Sequence, residues 1–504
     1  MSPLRQLAGQ IGVGVAFLAT SMLIARLLSL LNLAVLARLL TPDDYGVIAA
    51  AMFMLGLAEL ATSLPISAAL IRSEKFDEPA LHTAFTLSLA RGLLIAAIVY
   101  LSAEWIAALF ADHRITAVLH WLALSPLLFG LQNPKFILYE RRMDFRWAAG
   151  VEVAAAVAAT VVAVVFALAM RNYWALVAAA VAQRLTHVAL SYLFLPFVPS
   201  IGFARTGEFL RFGGWITAAN LVNYLNFKSD QVLVGRFLST ERLGVYSIGD
   251  RIASLTTNEM VGPLKKAIFP GLSTLKSEPA QLHAAYTKAQ IALIAIMLPV
   301  GIGTAMIANE IVLVIAGRAW ADAAIVVQFL APVMAVGLLN TAVAPLVMVV
   351  GQTHLIFYRS LLNLAVRIPP VLIGFFVFGF VGLLWARVIA GLLNTYITLR
   401  LASQVTRAPW FQPVLGAWRS LLSTLLMVVA LVMFTTPVAA DASASDATAS
   451  LVLKACLGAG CYVLSHYLLW LLAGRPTGLE SFVGGILRER IVTTFQRMTK
   501  WHTV

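Results

Sequence analysis

Amide and charged side chains recur at helical spacing inside long apolar runs, and they are the residues of this chain best placed to do chemistry. In the run 209–235, Asn220, Asn223, Asn226 and Asp230 follow one another at intervals of three and four. At 100° per residue they occupy an arc of about 120° on one helix face. Pointed at hydrocarbon, each would cost about a kcal/mol or more. Ser247, Asp250, Arg251, Ser254, Thr257 and Asn258 form a similar stripe in the next run, and Arg26, Ser29 and Asn32 form a third in the first run. Such faces either line an aqueous cavity or act as polar seams joining helices. The cavity is the expectation adopted, with the amides bonding to hydroxyl groups.

An ionisable group inside an apolar run is a functional candidate by default. The set is Arg26, Glu59, Arg91, Glu152, Arg184, Lys228, Asp230, Asp250, Arg251, Glu259, Arg367, Arg387, Arg419 and Lys454. Arg26 is the first choice for a phosphate contact, because a guanidinium fork matches phosphate oxygens. Pairing with Glu59 is its structural alternative. Arg91, Arg184, Lys228 and Arg251 extend the same cationic lining. Glu59, Asp230 and Asp250 are candidates for carrying a coupling ion, although Asp230 and Asp250 serve equally well to neutralise Lys228 and Arg251. Arg387, Arg419 and Lys454 lie near run ends and are expected to snorkel to the interface. His187 is expected to be a structural hydrogen bonder.

The elements holding these residues follow from composition. Of 504 residues 61% are hydrophobic and 12% charged, against about half and a quarter in soluble domains, and the mean hydropathy is +0.88. The chain is therefore expected to be an all-α polytopic membrane protein. Runs of at least about 18 apolar residues cross a bilayer, and fourteen are read: 11–36, 45–69, 80–102, 115–137, 147–170, 173–197, 209–235, 243–269, 288–310, 323–350, 355–378, 380–401, 414–437 and 450–473. No signal peptide is read, so the first run is expected to stay in the membrane. With the N-terminus inside, 21 basic residues fall in the inner segments and six (Arg38, Arg114, Arg171, Arg236, Arg242, Arg318) in the outer ones. That bias predicts both termini in the cytoplasm. It also assigns the net charge of +13 to topology and anionic lipid rather than to nucleic acid. Basic, partly apolar stretches at 275–288 and 479–498 are expected on the membrane surface. The two cysteines, Cys456 and Cys461, have neither metal nor redox spacing. Phosphate-binding loops, HExxH and GxSxG are absent from the sequence, so no cofactor, metal or catalytic residue is expected.

Slid against itself by 198 residues, the chain matches Arg38-Leu-Leu-Thr-Pro-Asp-Asp-Tyr-Gly-Val47 with Arg236-Phe-Leu-Ser-Thr-Glu-Arg-Leu-Gly-Val245. Thr41 and Ser239 suit helix N-caps, and Asp43 and Glu241 suit the positive end of a helix dipole. The offset holds six spans, predicting parallel lobes 1–198 and 199–402, two further helices in 403–474 and a basic tail 475–504. In transporters of such design the substrate path runs between the repeats.

The segments "ARLLTPDDYGVIAAAMFMLGLAELATSLPISAALIRSEK", "ALHTAFTLSLARGLLIA", "RRMDFR" and "EFLRFGGWITAANLVNYLNFKSDQVLVGRFLSTERLGVYSIGDRIASL" resemble the oligosaccharide flippases of the MOP exporter superfamily. Within it, the branch most similar is the Wzx-type polysaccharide exporters of exopolysaccharide, lipopolysaccharide and capsule pathways. The resemblance covers about residues 5 to 400. It implies two six-helix lobes around a V-shaped cavity, in a multi-pass protein of the bacterial inner membrane. It also implies translocation of an undecaprenyl-pyrophosphate-linked glycan from the cytoplasmic to the periplasmic leaflet, with membrane lipids and the pathway's polymerase and export components as partners. Three rivals remain: an ion-coupled multidrug antiporter, which needs a more acidic cavity; a lipid II flippase; and a membrane polysaccharide polymerase, which needs a larger external loop than 438–450.

Overall fold

The computed structural model describes residues 27–62, 77–141, 145–204, 214–257, 277–352, 354–406, 408–436 and 443–476, with Thr20, Ile24, Ile66, Leu70, Thr206, Ile268 and 272–275 besides. Arg26, Asn258, Glu259 and the stretch 479–498 lie outside the described residues. Among those described, the fold is helical without strands. In order the helices are α1 (Leu27–Leu39), α2 (Pro42–Ala61), α3 (Glu78–Phe110), α4 (Arg114–Leu122), α5 (Leu124–Gly130), α6 (Ile137–Arg141), α7 (Phe145–Met170), α8 (Trp174–Phe194), α9 (Gly214–Phe237) and α10 (Thr240–Thr257). They are followed by α11 (Pro279–Met306), α12 (Ala308–Ile315), α13 (Ala323–Gly337), α14 (Val343–Val350), α15 (His354–Thr406), α16 (Gln412–Gly416), α17 (Trp418–Phe434) and α18 (Ala444–Leu472).

Eight membrane-length apolar helices occur among the described residues, and α1, α4 with α5, and α17 are shorter apolar helices. α9 and α10 are not among the eight, because amides, hydroxyls and charges occupy part of each. The run 115–137 is divided between α4, α5 and a 3₁₀ turn at Pro134–Phe136. The last described helix begins at Ala444 rather than near 450, since Ser443 caps it, its Oγ accepting from Asp446 N at 3.1 Å. Large apolar side chains such as Trp105 (81% exposed) and Phe434 (75%) face outward, as hydrocarbon contact requires.

Local chemistry sets the other boundaries. At α2, Thr41 Oγ1 accepts from Asp44 N (3.3 Å), while Asp44 Oδ2 accepts from Thr41 N (3.0 Å). This capping box satisfies both amides, and Pro42 occupies the first turn. Ser239 caps α10 by accepting from Arg242 N at 3.1 Å. α15 contains 53 residues, about 80 Å if straight, which is far beyond the hydrocarbon thickness. Gly379 interrupts it with φ 65° and ψ −145°, a backbone state that essentially only glycine adopts. A methyl group at Gly382 would overlap the Gly374 carbonyl, so the chain bends back tightly there.

The chain forms two compact units. The first comprises Met1–Asp250, Val312–Ala323 and Ser360–Leu383. One of its cores sets Leu36 and Leu40 against Ala159, Ala163, Ala167, Ala175 and Ala179; these small side chains let α7 and α8 approach closely. The two matched segments meet inside this unit. A methyl group at Gly46 would overlap the Thr240 carbonyl, and one at Gly244 would overlap the Pro42 carbonyl. The contact is reciprocal, because Gly46 and Pro42 correspond to Gly244 and Thr240 at the 198-residue offset. Thr240 Oγ1 also donates to Asp43 Oδ1 at 2.6 Å. Trp320 Nε1 donates to Ala37 O (2.7 Å) and its ring meets Tyr45 edge-on, 5.1 Å between centroids.

The second unit comprises Arg251–Ile311, Ala324–Arg359 and Leu384–Val504. Leu293, Ala342, Val343, Leu346 and Val347 are fully buried in its core. There Gln290 Nε2 donates to Leu339 O at 2.9 Å and to the Tyr286 hydroxyl at 2.8 Å. Lys454 does not snorkel as expected. It is 7% exposed, and its ammonium lies 2.5 Å from Glu310 Oε1, itself on a residue 2% exposed. Arg387 is buried too, at 5%. Both positions looked like interface sites only because nearby run ends were counted along the chain, whereas neighbouring helices cover them.

Candidate functional site

α9 carries the central stripe. Asn226 is buried, and its Nδ2 donates to Ser360 O at 3.1 Å. One turn on, Asp230 is fully buried; its Oδ2 lies 2.7 Å from Arg367 Nη2 on α15 and accepts from the Tyr246 hydroxyl of α10 at 3.0 Å. The Arg367 guanidinium also stands over the Phe227 ring at 5.8 Å. Lys228 Nζ lies 3.2 Å from Asp250 Oδ2, so an ion pair also joins α9 to α10. Of the two acids, Asp250 takes Lys228 as its partner, whereas Asp230 takes Arg367. Asn223 is half-buried and Asn220 exposed, so the stripe runs from an exposed end at Asn220 to a closed polar network at Asp230. Arg251 is exposed and Ser29 half-buried. Asn32 is half-buried, with an Oδ1 shielded from solvent and without a hydrogen-bond partner among the described residues.

A second constellation joins α2, α3, α7 and α8. Arg91 donates from Nε to Thr62 O and from Nη2 to Glu59 O, both at 2.7 Å. It thereby caps the carbonyl end of α2, where a cation is favourable. The Glu59 carboxylate lies 3.7 Å from Arg184 Nη2, and the Arg184 guanidinium stacks over Phe129 at 5.1 Å. One turn along α8, His187 Nε2 lies 3.3 Å from Glu152 Oε2. Tyr224 of α9 donates its hydroxyl to Phe53 O of α2 at 2.9 Å.

Arg26 lies outside the described residues, so its role stays an expectation. Arg184, Glu59 and Arg91 come together, as do Asn226, Lys228, Asp230 and Asp250. Sequence reasoning missed Arg367 and Tyr246 as members of the α9 network and Glu152 with His187 as a pair. Tyr246 was findable, since it precedes Asp250 by one turn and so shares its helix face. Arg367 was visible as an intramembrane charge, but no spacing rule links it to Asp230 across 137 residues.

Chemically, these groups offer permanent cations and amides to an anionic or hydroxyl-rich solute. Among the described residues no cluster of His, Cys, Asp or Glu is suited to a metal ion. Within the second unit, α11, α17 and α18 enclose an apolar cavity of about 880 Å³ lined by Pro299, Met427, Leu431, Tyr462 and Trp470, with Lys454 also contributing.

A family model described as polysaccharide biosynthesis protein matches residues 35–325, more than half of the chain. The lipopolysaccharide biosynthesis protein WzxC of Escherichia coli (strain K12) is 21% identical over 400 residues, covering 78% of this chain and 80% of that protein. The succinoglycan biosynthesis transport protein ExoT of Rhizobium meliloti (strain 1021) is 24% identical over 341 residues, covering 67% and 68%. Among solved structures, the lipid II flippase MurJ in an inward closed conformation superposes with a TM-score of 0.72 at 13% identity, covering 91% of this chain and 99% of that one. An inward-facing multidrug resistance MATE transporter of the MOP superfamily gives 0.60 at 13% identity, covering 78% and 99%.

Proposed function

The chain belongs to the polysaccharide biosynthesis protein family, and on that footing we propose that it is a flippase for a lipid-linked oligosaccharide, moving an undecaprenyl-pyrophosphate-linked repeat unit from the cytoplasmic to the periplasmic leaflet. The observation that carries this reading is a row of amides and paired charges on α9, set within a protein with eight membrane-length apolar helices among the described residues. A glycan needs such a lining, because its hydroxyls cannot cross hydrocarbon unaided. The polyprenyl tail does not need it and remains in apolar surroundings. The cavity between α11, α17 and α18 has the lining and volume to take a length of that tail.

In this reading Arg26 and Arg184 attract the pyrophosphate, with Arg91 fixing the end of α2 beside Arg184. Asn220 and Asn223 meet the sugars. The lobes 1–198 and 199–402 rock against each other, exposing the lining to each side in turn, while 403–474 holds the tail side. The protein sits in the inner membrane with both termini cytoplasmic, and it passes its product to the polymerase and export components of the pathway.

The test is deletion of the gene, followed by measurement of secreted polysaccharide, intracellular lipid-linked units and tolerance to cationic drugs. The expected result is loss of polysaccharide, accumulation of lipid-linked units and unchanged drug tolerance. Persistence of polysaccharide with heightened drug sensitivity would overturn the substrate and favour a drug antiporter.

A further inference from the structure

Four described intramembrane acids face ordinarily charged cations: Glu59 faces Arg184, Asp230 faces Arg367, Asp250 faces Lys228 and Glu310 faces Lys454. Glu152 differs. Its carboxylate meets an imidazole, His187 Nε2, at 3.3 Å, with side-chain exposures of 57% and 21%. Imidazole is the side chain whose charge ordinarily changes between about pH 5 and 8. A carboxylate in contact with it, exposed at the surface of packed helices, makes a place where a proton can be taken up and released. We infer that Glu152 and His187 form the proton-binding site of this chain, loaded and emptied once per transport cycle; the inference rests on the reading of the chain as a transporter.

The charges around the pair give loading a mechanical consequence. Arg184 lies one turn before His187 on α8, touches Glu59 of α2 and also acts electrostatically on Glu152 of α7. A proton from water converts the imidazole to imidazolium, which neutralises Glu152 and leaves Arg184 to Glu59. Release of that proton to water leaves Glu152 with a net negative charge that competes with Glu59 for Arg184. One guanidinium is thus shared between α2 and α7 according to the state of His187. Arg91 also acts electrostatically on Glu59, so Glu59 keeps one cation whichever way Arg184 turns. α5 contributes Phe129 beneath Arg184 and contains no ionisable residue. On α4, Arg114 is held by Asp43 and Asp112, and His120 stacks on Tyr100. That helix meets α8 at Trp121 and Trp174, about 20 Å along the helix from His187.

The test has two arms, both with the full chain. In the first, protein purified in detergent and labelled with ¹⁵N-histidine is titrated by NMR from pH 5 to 9, and His187 is assigned by its loss in His187→Gln. The expected result is an imidazole that titrates within that window and whose midpoint moves by about one pH unit or more in Glu152→Gln. A His187 signal that does not titrate, or a midpoint unmoved by Glu152→Gln, overturns the site. In the second arm, wild type and His187→Gln are returned to the deletion strain at equal membrane abundance. Glutamine keeps a donor toward Glu152, so the change removes the proton and spares the packing. His187→Gln, which removes the proton-binding group altogether, should lose most of the polysaccharide that wild type restores. Equal restoration by both overturns the proton site alone. A wild type that restores nothing overturns the transport reading instead.

Discussion

Neutralising Asp230 leaves the Arg367 guanidinium buried beside an uncharged amide. With Oδ2 and Nη2 2.7 Å apart, the pair attracts by about 6 kcal/mol at an effective dielectric of 20. Part of that offsets the desolvation of both ions, so removal of one partner is expected to cost about 3–5 kcal/mol. The Tyr246 hydroxyl bond to the same oxygen, 3.0 Å long, adds about 1.5–3 kcal/mol when its acceptor is charged. Asp230→Asn and Arg367→Gln should each lower the detergent-unfolding midpoint strongly. The double variant, with two amides able to bond each other, should lose less than the sum by about 1–3 kcal/mol. If pairing with Arg367 is the whole role of Asp230, the double variant should also still support polysaccharide secretion. The assay is a double-mutant cycle from SDS or thermal unfolding of the purified chain, with secretion measured in parallel. Additive costs in the cycle would refute the pairing, and a stable double variant without secretion would refute the assignment of Asp230 to structure.

Other outcomes follow from single contacts. Gly46→Ala and Gly244→Ala each force a methyl group into a carbonyl and should cost about 1–3 kcal/mol or more, whereas Gly150→Ala, with nothing within 4 Å, should be neutral or stabilising by up to about 1 kcal/mol; thermal unfolding distinguishes them. Arg91→Lys keeps the charge but cannot span the Thr62 and Glu59 carbonyls as a fork, so it should lower the melting temperature nearly as much as Arg91→Gln. Lys454→Met should destabilise by about 3–5 kcal/mol, and Lys454→Met with Glu310→Gln should recover most of the loss, read as yield of folded protein in size-exclusion chromatography.

The helical class and most helix positions were legible because hydrocarbon thickness imposes a length on every apolar run, and Thr41, Ser239 and Gly379 sit where caps and breaks must occur. The end at Ala444 was missed because a loop composition concealed the Ser443–Asp446 cap. The α9 stripe was legible from its spacing, since a helix fixes which residues share a face. Its counter-ions were not. Arg367 meets Asp230, and Lys454 meets Glu310, through packing between helices distant in sequence, and periodicity within one helix carries no information about its neighbour. His187 was read as structural because a lone histidine has no sequence signal for Glu152, which lies on another helix.

The pair between Lys454 and Glu310 also bears on biogenesis. Glu310 is synthesised 144 residues ahead of its counter-ion, an interval of about 7–30 s at about 5–20 residues per second. Throughout that interval the nascent chain holds an acid at a position that will be buried, with its lysine still to come. A chain that stops short of α18 leaves Glu310 without the lysine that meets it, an uncompensated buried acid that costs about 3–5 kcal/mol.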